Sequence, residues 1–298
     1  MTPGSSTLLC AVLGHPVAHS ISPAVHNAAL QHRGRDAVYL AFDVRPGELG
    51  RALEGLKALG AAGANLTVPH KVAALDLVDR VDTDARRIGA ANTLVFEGAG
   101  PVAHNTDVQG VLFAVRETWP DALGAPWLVL GAGGGGRAAA WAAAEAGSPV
   151  LVTNRTRERA AELVGDLTSS GHGAELVAWE ERTARAGSVA LVIDATSMGM
   201  DGGPGPLAEQ DLESAAAGGC LGLMDMFYAR GETELVRTAR RAGLVAADGV
   251  QMLVGQAAAS YRLWWEEEAP VDIMRAAASE ALGRSTADSR PPGLPPLP

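Results

Sequence analysis

Polar side chains that can bind and protonate a small ligand follow the predicted strands in the first third of the chain. Lys71 comes just after an apolar strand predicted over 64–68, and Asp107 follows a strand predicted over 102–104. A lysine ammonium can give a proton to a carbonyl oxygen, and a carboxylate can orient the ammonium. Because open α/β sheets bind ligands at the carboxyl ends of their strands, we expect one site for a hydroxylated or carboxylate ligand. Its candidate residues are Ser20, Ser22, Asn65, Thr67, Lys71, Asn92 and Asp107.

Each of these residues also has a structural interpretation when taken alone. Ser20 and Ser22 can act as caps of a helix that begins at Ser22-Pro23. Lys71 can be a surface charge, and Asp107 can cap the helix that follows it. The accumulation of such residues at several strand ends favours the ligand site over these separate interpretations.

A glycine-rich segment near the middle of the chain predicts a dinucleotide site. Gly131, Gly133 and Gly136 fit the pattern G-x-G-x-x-G between a strand predicted over 127–130 and a helix predicted over 137–146. In such a loop the glycines allow a tight turn, a close approach to pyrophosphate and close packing of helix on strand. The helix N-terminus then faces the phosphates. The alternative is a glycine-rich structural turn.

The residues after the next predicted strand indicate which dinucleotide is bound. An NAD site usually has an acidic residue about 20 positions after the loop, on the ribose 2′-hydroxyl. This chain has Asn154-Arg155-Thr156-Arg157 there, without an acid. Because arginine binds a phosphate bidentately and a carboxylate would repel it, we predict NADP rather than NAD. The alternative is that Arg155 and Arg157 are solvated charges at a helix start.

The elements that position these residues alternate between strand and helix, which predicts an α/β fold with parallel strand pairing. Strands are predicted over 8–13, 38–44 and 64–68, each followed by a helix. The runs 92–96 and 102–104 are separated by a short glycine-containing turn and predict a strand pair. The alternation resumes at residue 127 and ends in two helices predicted over 252–265 and 271–282.

The composition excludes several classes of function. The 298 residues carry 24 basic and 34 acidic side chains, and the net charge of −10 disfavours binding to nucleic acid or an anionic membrane. No uninterrupted apolar stretch reaches about 18 residues, so we expect no membrane span. The first residues lack the basic segment of a signal peptide. The two cysteines form no CxxC and the seven histidines no HExxH pattern, so we expect a cytoplasmic protein without metal.

Several segments resemble, in order, those of the shikimate dehydrogenase family. In the first half they are Gly14…Ser20-Ile21-Ser22-Pro23, Asn65-Leu66-Thr67-Val68-Pro69-His70-Lys71, Gly89-Ala90-Ala91-Asn92-Thr93 and Asn105-Thr106-Asp107. In the second half they are the glycine loop, Asn154-Arg155-Thr156, Ala195-Thr196-Ser197-Met198-Gly199, Asp225-Met226-Phe227-Tyr228 and Asp248-Gly249…Met252-Leu253-Val254-Gly255-Gln256. The resemblance runs from about residue 8 to residue 283 and is specific, because the segments lie in both halves.

The resemblance implies an enzyme that reversibly reduces 3-dehydroshikimate to shikimate with NADPH, a step toward the aromatic amino acids. It implies that Lys71 is the catalytic lysine and Asp107 its partner. The substrate carboxylate would be bound by Ser20 and Ser22. Asn65 would support the site from behind. The remaining substrate-binding residues implied are Thr67, Asn92, Tyr228 and Gln256.

On the cofactor side, the resemblance assigns three groups of residues to NADP. The pyrophosphate would contact Gly131, Ala132, Gly133, Gly134 and Gly135. The ribose phosphate would contact Asn154, Arg155, Thr156 and Arg157, and the nicotinamide end Thr196, Met226 and Gly249. The family's loop often reads Gly-Ala-Gly-Gly-Ala or Gly-Ala-Gly-Gly-Ser, whereas here four glycines run together over 133–136. We expect this departure to leave phosphate binding intact and to make the empty loop more flexible.

The implied fold has two α/β domains with the active-site cleft between them. A discontinuous substrate-binding domain is expected over 1–107 and 250–283, and a Rossmann-like NADP domain over 108–249. A disordered proline-rich tail is expected over 284–298. The family contains monomers and homodimers, and the sequence does not choose between them.

Three alternatives remain open from the sequence. The first is a quinate/shikimate dehydrogenase of the same superfamily, which often uses NAD; Ser22 and Arg155 argue against it. The second is a related enzyme acting on an amino-substituted ring, using NAD or NADP. The third is an NADPH-sensing regulatory protein on the same fold, which would not need the pair Lys71 and Asp107.

Overall fold

The chain divides into two α/β units. The computed structural model describes residues 2–98, 100–200 and 203–284. Unit 1 contains the described residues up to Gly110 together with Leu253–Leu282, and unit 2 contains Val111–Met252 with Gly283 and Arg284. The predicted domain limits at 107/108 and 249/250 remain a prediction. The proline-rich segment 285–298 lies outside the described residues.

The described residues form twelve strands and twelve α-helices. The strands are β1 (Leu8–Gly14), β2 (Ala37–Asp43), β3 (Gly63–Leu66), β4 (Arg80–Val81), β5 (Thr93–Glu97), β6 (Gly100–His104), β7 (Trp127–Leu130), β8 (Val150–Thr153), β9 (Ala174–Leu176), β10 (Leu191–Asp194), β11 (Gly222–Asp225) and β12 (Val245–Ala247). The helices are α1 (Ser22–His32), α2 (Leu49–Ala58), α3 (His70–Ala73), α4 (Thr83–Ile88), α5 (Asp107–Thr118), α6 (Gly134–Glu145), α7 (Arg157–Ser169), α8 (Arg182–Ala186), α9 (Glu209–Ala217), α10 (Glu234–Arg241), α11 (Val250–Trp265) and α12 (Val271–Ala281).

The sheet of unit 1 is mixed, with the strand order β2-β1-β3-β5-β6-β4. Strands β2, β1 and β3 are parallel, as predicted, but β5 is antiparallel to both β3 and β6. Two residues separate β5 from β6, and parallel neighbours need a crossover of about a dozen residues, so this pair can only form a hairpin. The apolar side chains between this sheet and α2 form a core with Leu13, Leu53 and Leu66 among its members.

The sheet of unit 2 is entirely parallel, with the order β12-β11-β10-β7-β8-β9. Numbered from the first strand of the unit, this is the Rossmann order 3-2-1-4-5-6 read from the other edge. Strands β7, β8, β10 and β11 are buried along their whole length, as expected for a sheet covered on both faces. The strand order reverses between β7 and β10, and the glycine loop follows β7.

Candidate active site

An ion pair between Lys71 and Asp107 is the centre of the polar residues in unit 1. Lys71 lies on α3, just after β3, and Asp107 is the first residue of α5, just after β6. The Lys71 Nζ donates to Asp107 Oδ2 over 2.6 Å, and the two side chains are 17% and 3% exposed. Because a buried charge is costly unless it is paired and hydrogen-bonded, this pair needs further partners to be stable.

Asn92 supplies the second partner of the Asp107 carboxylate. Its Nδ2 donates to Asp107 Oδ1 over 2.9 Å and lies 3.2 Å from Gln256 Oε1. The orientation of the Asn92 amide is fixed by the backbone, because the Thr106 N–H, which can only donate, is 2.7 Å from Asn92 Oδ1. Both oxygens of Asp107 therefore accept a hydrogen bond, and the structure joins Lys71, Asn92, Asp107 and Gln256 in one network.

Asn65 lies behind this network and is buried on β3. It accepts a hydrogen bond from the Tyr39 hydroxyl at 2.7 Å, and its Nδ2 donates to the Asn92 carbonyl at 3.0 Å. Asn65 thus contacts the backbone of Asn92, and its role in supporting the site stays a prediction.

The two loop serines lie next to each other, but they do not cap helix α1. The helix begins at Ser22, its N-cap residue is Ile21, and no side chain accepts a capping hydrogen bond there. Instead, Ser20 Oγ accepts from the Ser22 N–H at 3.3 Å. The capping interpretation is therefore wrong for Ser22, because the proline after it fits the first turn and moves the helix start onto Ser22 itself.

Thr67 lies beside the start of the serine loop. A Cβ on Gly14 would come within 2.3 Å of the Thr67 Cγ2, so a larger residue at the end of β1 would have to displace the Thr67 side chain. The His15 N–H donates to the Val68 carbonyl at 3.0 Å, which joins the start of the loop to the chain after β3. Tyr228, the remaining predicted substrate residue, belongs to unit 2, and its contact with substrate stays a prediction.

The glycine loop of unit 2 combines a left-handed glycine, a close backbone approach and open space beside α6. Gly131 has φ +105°, a conformation that side-chain-bearing residues rarely adopt. A Cβ on Gly136 would lie 2.0 Å from the Gly131 carbonyl oxygen, so the lack of a side chain at Gly136 lets the first turn of α6 pack against Gly131. A Cβ on Gly133, by contrast, would meet no atom within 4 Å, and this leaves open space in front of the first turn of α6. The loop therefore fits a dinucleotide phosphate.

The segment after β8 is tied to the glycine loop through Asn154. The Asn154 Oδ1 accepts from the Ala132 N–H at 3.2 Å, and its Nδ2 donates to the Thr156 carbonyl at 2.8 Å. Thr156 is the N-cap residue of α7, yet no side chain accepts a capping hydrogen bond there. Arg155 and Arg157 are exposed on either side of it. Two exposed guanidinium groups at an uncapped helix start suit a phosphate.

The residues predicted near the nicotinamide are neighbours of the glycine loop. A Cβ on Gly135 would lie 3.2 Å from Met226 Cε, and a Cβ on Gly249 would lie 2.3 Å from the Met226 carbonyl oxygen. A Cβ on Gly131 would lie 3.3 Å from the Thr196 backbone nitrogen. The structure thus brings Thr196, Met226 and Gly249 to the same end of the sheet as the loop.

Known proteins match this chain over nearly its whole length. A family model described as shikimate dehydrogenase substrate binding domain matches residues 12–94, and one described as shikimate 5′-dehydrogenase C-terminal domain matches residues 249–278. A curated shikimate dehydrogenase (NADP(+)) from Moorella thermoacetica is 44% identical over 290 residues, covering 95% of this chain and 96% of that protein. The chain belongs to the shikimate dehydrogenase family.

Solved structures of shikimate dehydrogenase relatives share the fold. Shikimate 5-dehydrogenase from Thermus thermophilus, in complex with NADP(H) and shikimate, has a TM-score of 0.81 at 37% identity, covering 92% of this chain and 100% of that one. Quinate dehydrogenase from Corynebacterium glutamicum, in complex with NAD, has a TM-score of 0.81 at 31% identity, covering 91% and 98%. The predicted family and the two-unit α/β fold are confirmed, and the predicted NADP cofactor and shikimate dehydrogenase activity agree with the names of these relatives.

The described part of the chain has neither a membrane-spanning helix nor a cluster of side chains suited to a metal. Residues 2–98, 100–200 and 203–284 contain no helix that is long and apolar enough to cross a membrane. The same stretch contains no group of three or more histidine, cysteine, aspartate or glutamate side chains placed to hold a metal ion.

Two buried carboxyl groups of this shikimate dehydrogenase relative were not anticipated from the sequence. Asp194 and Asp225 end the adjacent strands β10 and β11 and are paired in register. Each accepts the N–H two residues ahead, from Thr196 at 2.9 Å and Phe227 at 3.0 Å. These bonds hold the turns that carry Thr196 and Met226. An aspartate closing an apolar strand is the signal that could have revealed them.

Burial keeps the Asp194 carboxyl group protonated at pH values at which an exposed aspartate is ionised. Burial raises the pKa of Asp194 from 3.8 to about 7; the Thr196 N–H opposes this rise, and the neighbouring Asp225 carboxyl adds to it. Burial likewise raises the pKa of Asp225 to about 6, against the hydrogen bond from the Thr233 hydroxyl. Between pH 4 and pH 7 the folded chain therefore binds a proton at Asp194 that the unfolded chain releases.

Asp194→Asn is expected to become more stable than the wild type as pH rises. Because the pKa of Asp194 is higher in the folded than in the unfolded wild type, the free energy of unfolding of the wild type falls as pH rises from about 4 to about 7. Asparagine keeps the acceptor for Thr196 and never ionises. The difference in unfolding free energy should grow from near zero at pH 4 to a few kcal/mol, on the order of 4, above pH 7.

Chemical denaturation at several pH values measures this difference. Asp121→Asn, which changes an exposed aspartate of the same unit, is the matched control and should follow the wild-type curve. Parallel pH curves for Asp194→Asn and wild type would show that Asp194 ionises normally in the folded chain.

Proposed function

We propose that unit 1 binds the substrate and that Lys71 exchanges a proton with the substrate oxygen that is reduced or oxidised. In the reductive direction the Lys71 ammonium donates a proton to the carbonyl oxygen of 3-dehydroshikimate, and in the oxidative direction the amine takes it back from the shikimate hydroxyl. Bound NADPH supplies the hydride. The observation that carries this proposal is the 2.6 Å ion pair of Lys71 with the buried Asp107.

Asp107 is proposed to position the Lys71 ammonium and to accept a hydrogen bond from a substrate hydroxyl. One N–H of Lys71 is directed at Asp107 Oδ2, which leaves two for a ligand. The second Asp107 oxygen is held by Asn92. Because both partners are held by other groups, the proton donor is pre-oriented before substrate arrives, and pre-oriented charge stabilises a developing alkoxide most effectively.

The remaining polar residues of unit 1 are proposed to orient the ring. Ser20 and Ser22 are assigned to the substrate carboxylate, since two adjacent hydroxyls can each donate to one of its oxygens. Thr67, Asn92 and Gln256 are assigned to ring hydroxyls, and Tyr228 of unit 2 to the bound substrate.

Unit 2 is proposed to bind NADP through the residues predicted for it. The backbone of 131–135 is assigned to the pyrophosphate, supported by the open space at Gly133. Arg155 and Arg157, with Asn154 and Thr156, are assigned to the 2′-phosphate, supported by the exposure of both guanidinium groups at the start of α7. Thr196, Met226 and Gly249 are assigned to the nicotinamide end.

Quinate oxidation with NAD is the second candidate function, because a quinate dehydrogenase shares the fold. Arg155 and Arg157 favour the first candidate, since NAD has no phosphate for them to bind. We also propose that the protein is cytoplasmic and is either a monomer or a homodimer.

The proposed reaction is tested by its stoichiometry. Purified chain mixed with 3-dehydroshikimate and NADPH should form one shikimate for each NADPH oxidised, measured by chromatography of the ring acids and absorbance of the cofactor. Oxidation of NADPH without shikimate, or no oxidation at all, would overturn the proposed function.

A further inference from the structure

Three hydroxyl groups meet in the interior of unit 1, behind the residues proposed to bind substrate. Thr93 begins β5, Thr106 precedes α5, and Ser260 lies on α11. Their side-chain oxygens are 3.0 Å (Thr93 to Thr106), 2.8 Å (Thr93 to Ser260) and 3.0 Å (Thr106 to Ser260) apart. The three residues are 0%, 3% and 0% exposed. We call them the hydroxyl cluster.

The directions of the hydrogen bonds in the hydroxyl cluster follow from its backbone neighbours. The Gln256 carbonyl can only accept, and the Ser260 hydroxyl donates to it over 3.0 Å. Ser260 Oγ is then an acceptor for the cluster. Because Thr106 Oγ1 accepts from Asn92 Nδ2 at 2.9 Å, the Thr106 hydroxyl can donate to Ser260 Oγ, 3.0 Å away, which also accepts from Asn65 Nδ2 at 3.0 Å. These contacts connect the Asn92 amide through Thr106 and Ser260 to a helix carbonyl.

The same amide group is the one that holds Asp107. Asn92 Nδ2 has two protons, and the two acceptors nearest to it are Thr106 Oγ1 and Asp107 Oδ1, both at 2.9 Å. Thr93 completes the arrangement, because its hydroxyl lies 3.1 Å from Asn92 Oδ1 and 3.1 Å from Asn65 Nδ2. Both ends of the Asn92 amide are thus held by the hydroxyl cluster.

We propose that the hydroxyl cluster is a positioning device for Asn92 and, through it, for the carboxylate of Asp107, with Ser260 as its central residue. The inference rests on the proposed function of Lys71 and Asp107. Without the Ser260 oxygen, the Thr106 hydroxyl keeps only Thr93 Oγ1 and Asn92 Oδ1 as acceptors, at 3.0 and 3.2 Å, and Asn65 Nδ2 loses an acceptor at 3.0 Å. The Thr106 N–H still sets which way the Asn92 amide faces, but the hydroxyls that hold the amide in place can shift, and the contact of Asn92 Nδ2 with Asp107 Oδ1 lengthens.

Ser260→Ala is the variant that tests the hydroxyl cluster, and Ser279→Ala is its matched control. Both serines are buried on helices of unit 1, and both donate over 3.0 Å to the carbonyl four residues earlier, Gln256 and Arg275 respectively. Ser260→Ala should lower kcat/KM for shikimate about tenfold, the loss expected for about one hydrogen bond, with the KM for NADP unchanged. Ser279→Ala should keep wild-type kinetics.

A second pair of variants distinguishes the loss of a hydroxyl group from a folding defect. Thr106→Val keeps the shape of the side chain and removes the hydroxyl, whereas Thr106→Ser keeps the hydroxyl. The valine variant should lose activity like Ser260→Ala, and the serine variant should recover most of it. Circular dichroism gives the folded fraction by which each rate is corrected.

A double-mutant cycle separates positioning from a merely structural role. If Ser260 acts through Asn92, then adding Ser260→Ala to Asn92→Ala should cost no further kcat/KM. Equal activity of Ser260→Ala and Ser279→Ala, or an undiminished effect of Ser260→Ala in the Asn92→Ala background, would overturn the inference alone. A wild-type chain that does not oxidise shikimate would instead overturn the proposed function and the inference with it.

Discussion

Lys71→Ala is expected to lower kcat for shikimate oxidation by about 10²–10⁴-fold, the usual contribution of a general acid–base group. The proton on the substrate hydroxyl then has to pass to water, and the developing alkoxide loses the ammonium that would stabilise it. The dissociation constant for NADP should stay within about twofold, because this residue belongs to unit 1 and the proposed NADP residues belong to unit 2. Steady-state kinetics and calorimetric titration with NADP measure the two effects.

The chain provides a matched control for this variant, because it has only two lysines. Lys57→Ala changes the other one, an exposed residue of α2, and should leave kcat unchanged. Lys71→Ala also removes a partner from the buried Asp107, so thermal unfolding should be measured in parallel to correct for any loss of folded enzyme. Retention of more than about a tenth of wild-type kcat by the folded variant would show that another group moves the proton.

Arg155→Ala is expected to raise the KM for NADP by about 10–100-fold, the range for losing a charge-assisted contact to phosphate. The KM for NAD should change by less than about twofold, because NAD has no 2′-phosphate at the position assigned to this guanidinium. Steady-state titrations of both cofactors at saturating shikimate give the two constants.

Arg159→Ala is the control for net charge, since it removes the same charge from an exposed position on α7, the helix that Arg155 precedes. It should leave both cofactor constants close to wild type. A proportional rise in the KM for NADP and NAD after Arg155→Ala would mean that the arginine contacts a part that the two cofactors share, and not the 2′-phosphate.

The parts of the site that the sequence predicts are those whose chemistry depends on local spacing. The glycine loop, Asn154 with its neighbouring arginines, Lys71 and Asp107 each follow a strand directly, so a strand and a short motif are enough to predict their place. Their pairing across 36 positions is consistent with the rule that strand ends meet at one edge of a sheet.

The hydroxyl cluster could not be predicted in this way. Thr106 and Ser260 are 154 positions apart, and Thr93 and Ser260 are 167 apart, so no spacing rule connects them. Their contact exists because α11 returns to unit 1 near the end of the chain. The shifted pKa of Asp194 was also hidden, because it depends on burial at 2% exposure and on a neighbour in an adjacent strand.

Local rules also failed where several weak signals compete. Ser22 is a common capping residue, but Pro23 after it fits the first helical turn, and the helix begins at the serine instead. Strand β4 is two residues long and has no periodicity to detect. Neither difference changes which residues meet around Asp107.

This chain is expected to oxidise shikimate with NADP by means of Lys71 and Asp107, and Arg155 is expected to select NADP over NAD. Both expectations are measured by steady-state kcat/KM for the four combinations of shikimate or quinate with NADP or NAD. Shikimate with NADP should give the highest kcat/KM. With either acid, NAD should give a lower kcat/KM than NADP because the KM for NAD is higher. Turnover of quinate with NAD in the absence of turnover of shikimate with NADP would show that the chain is a quinate dehydrogenase instead.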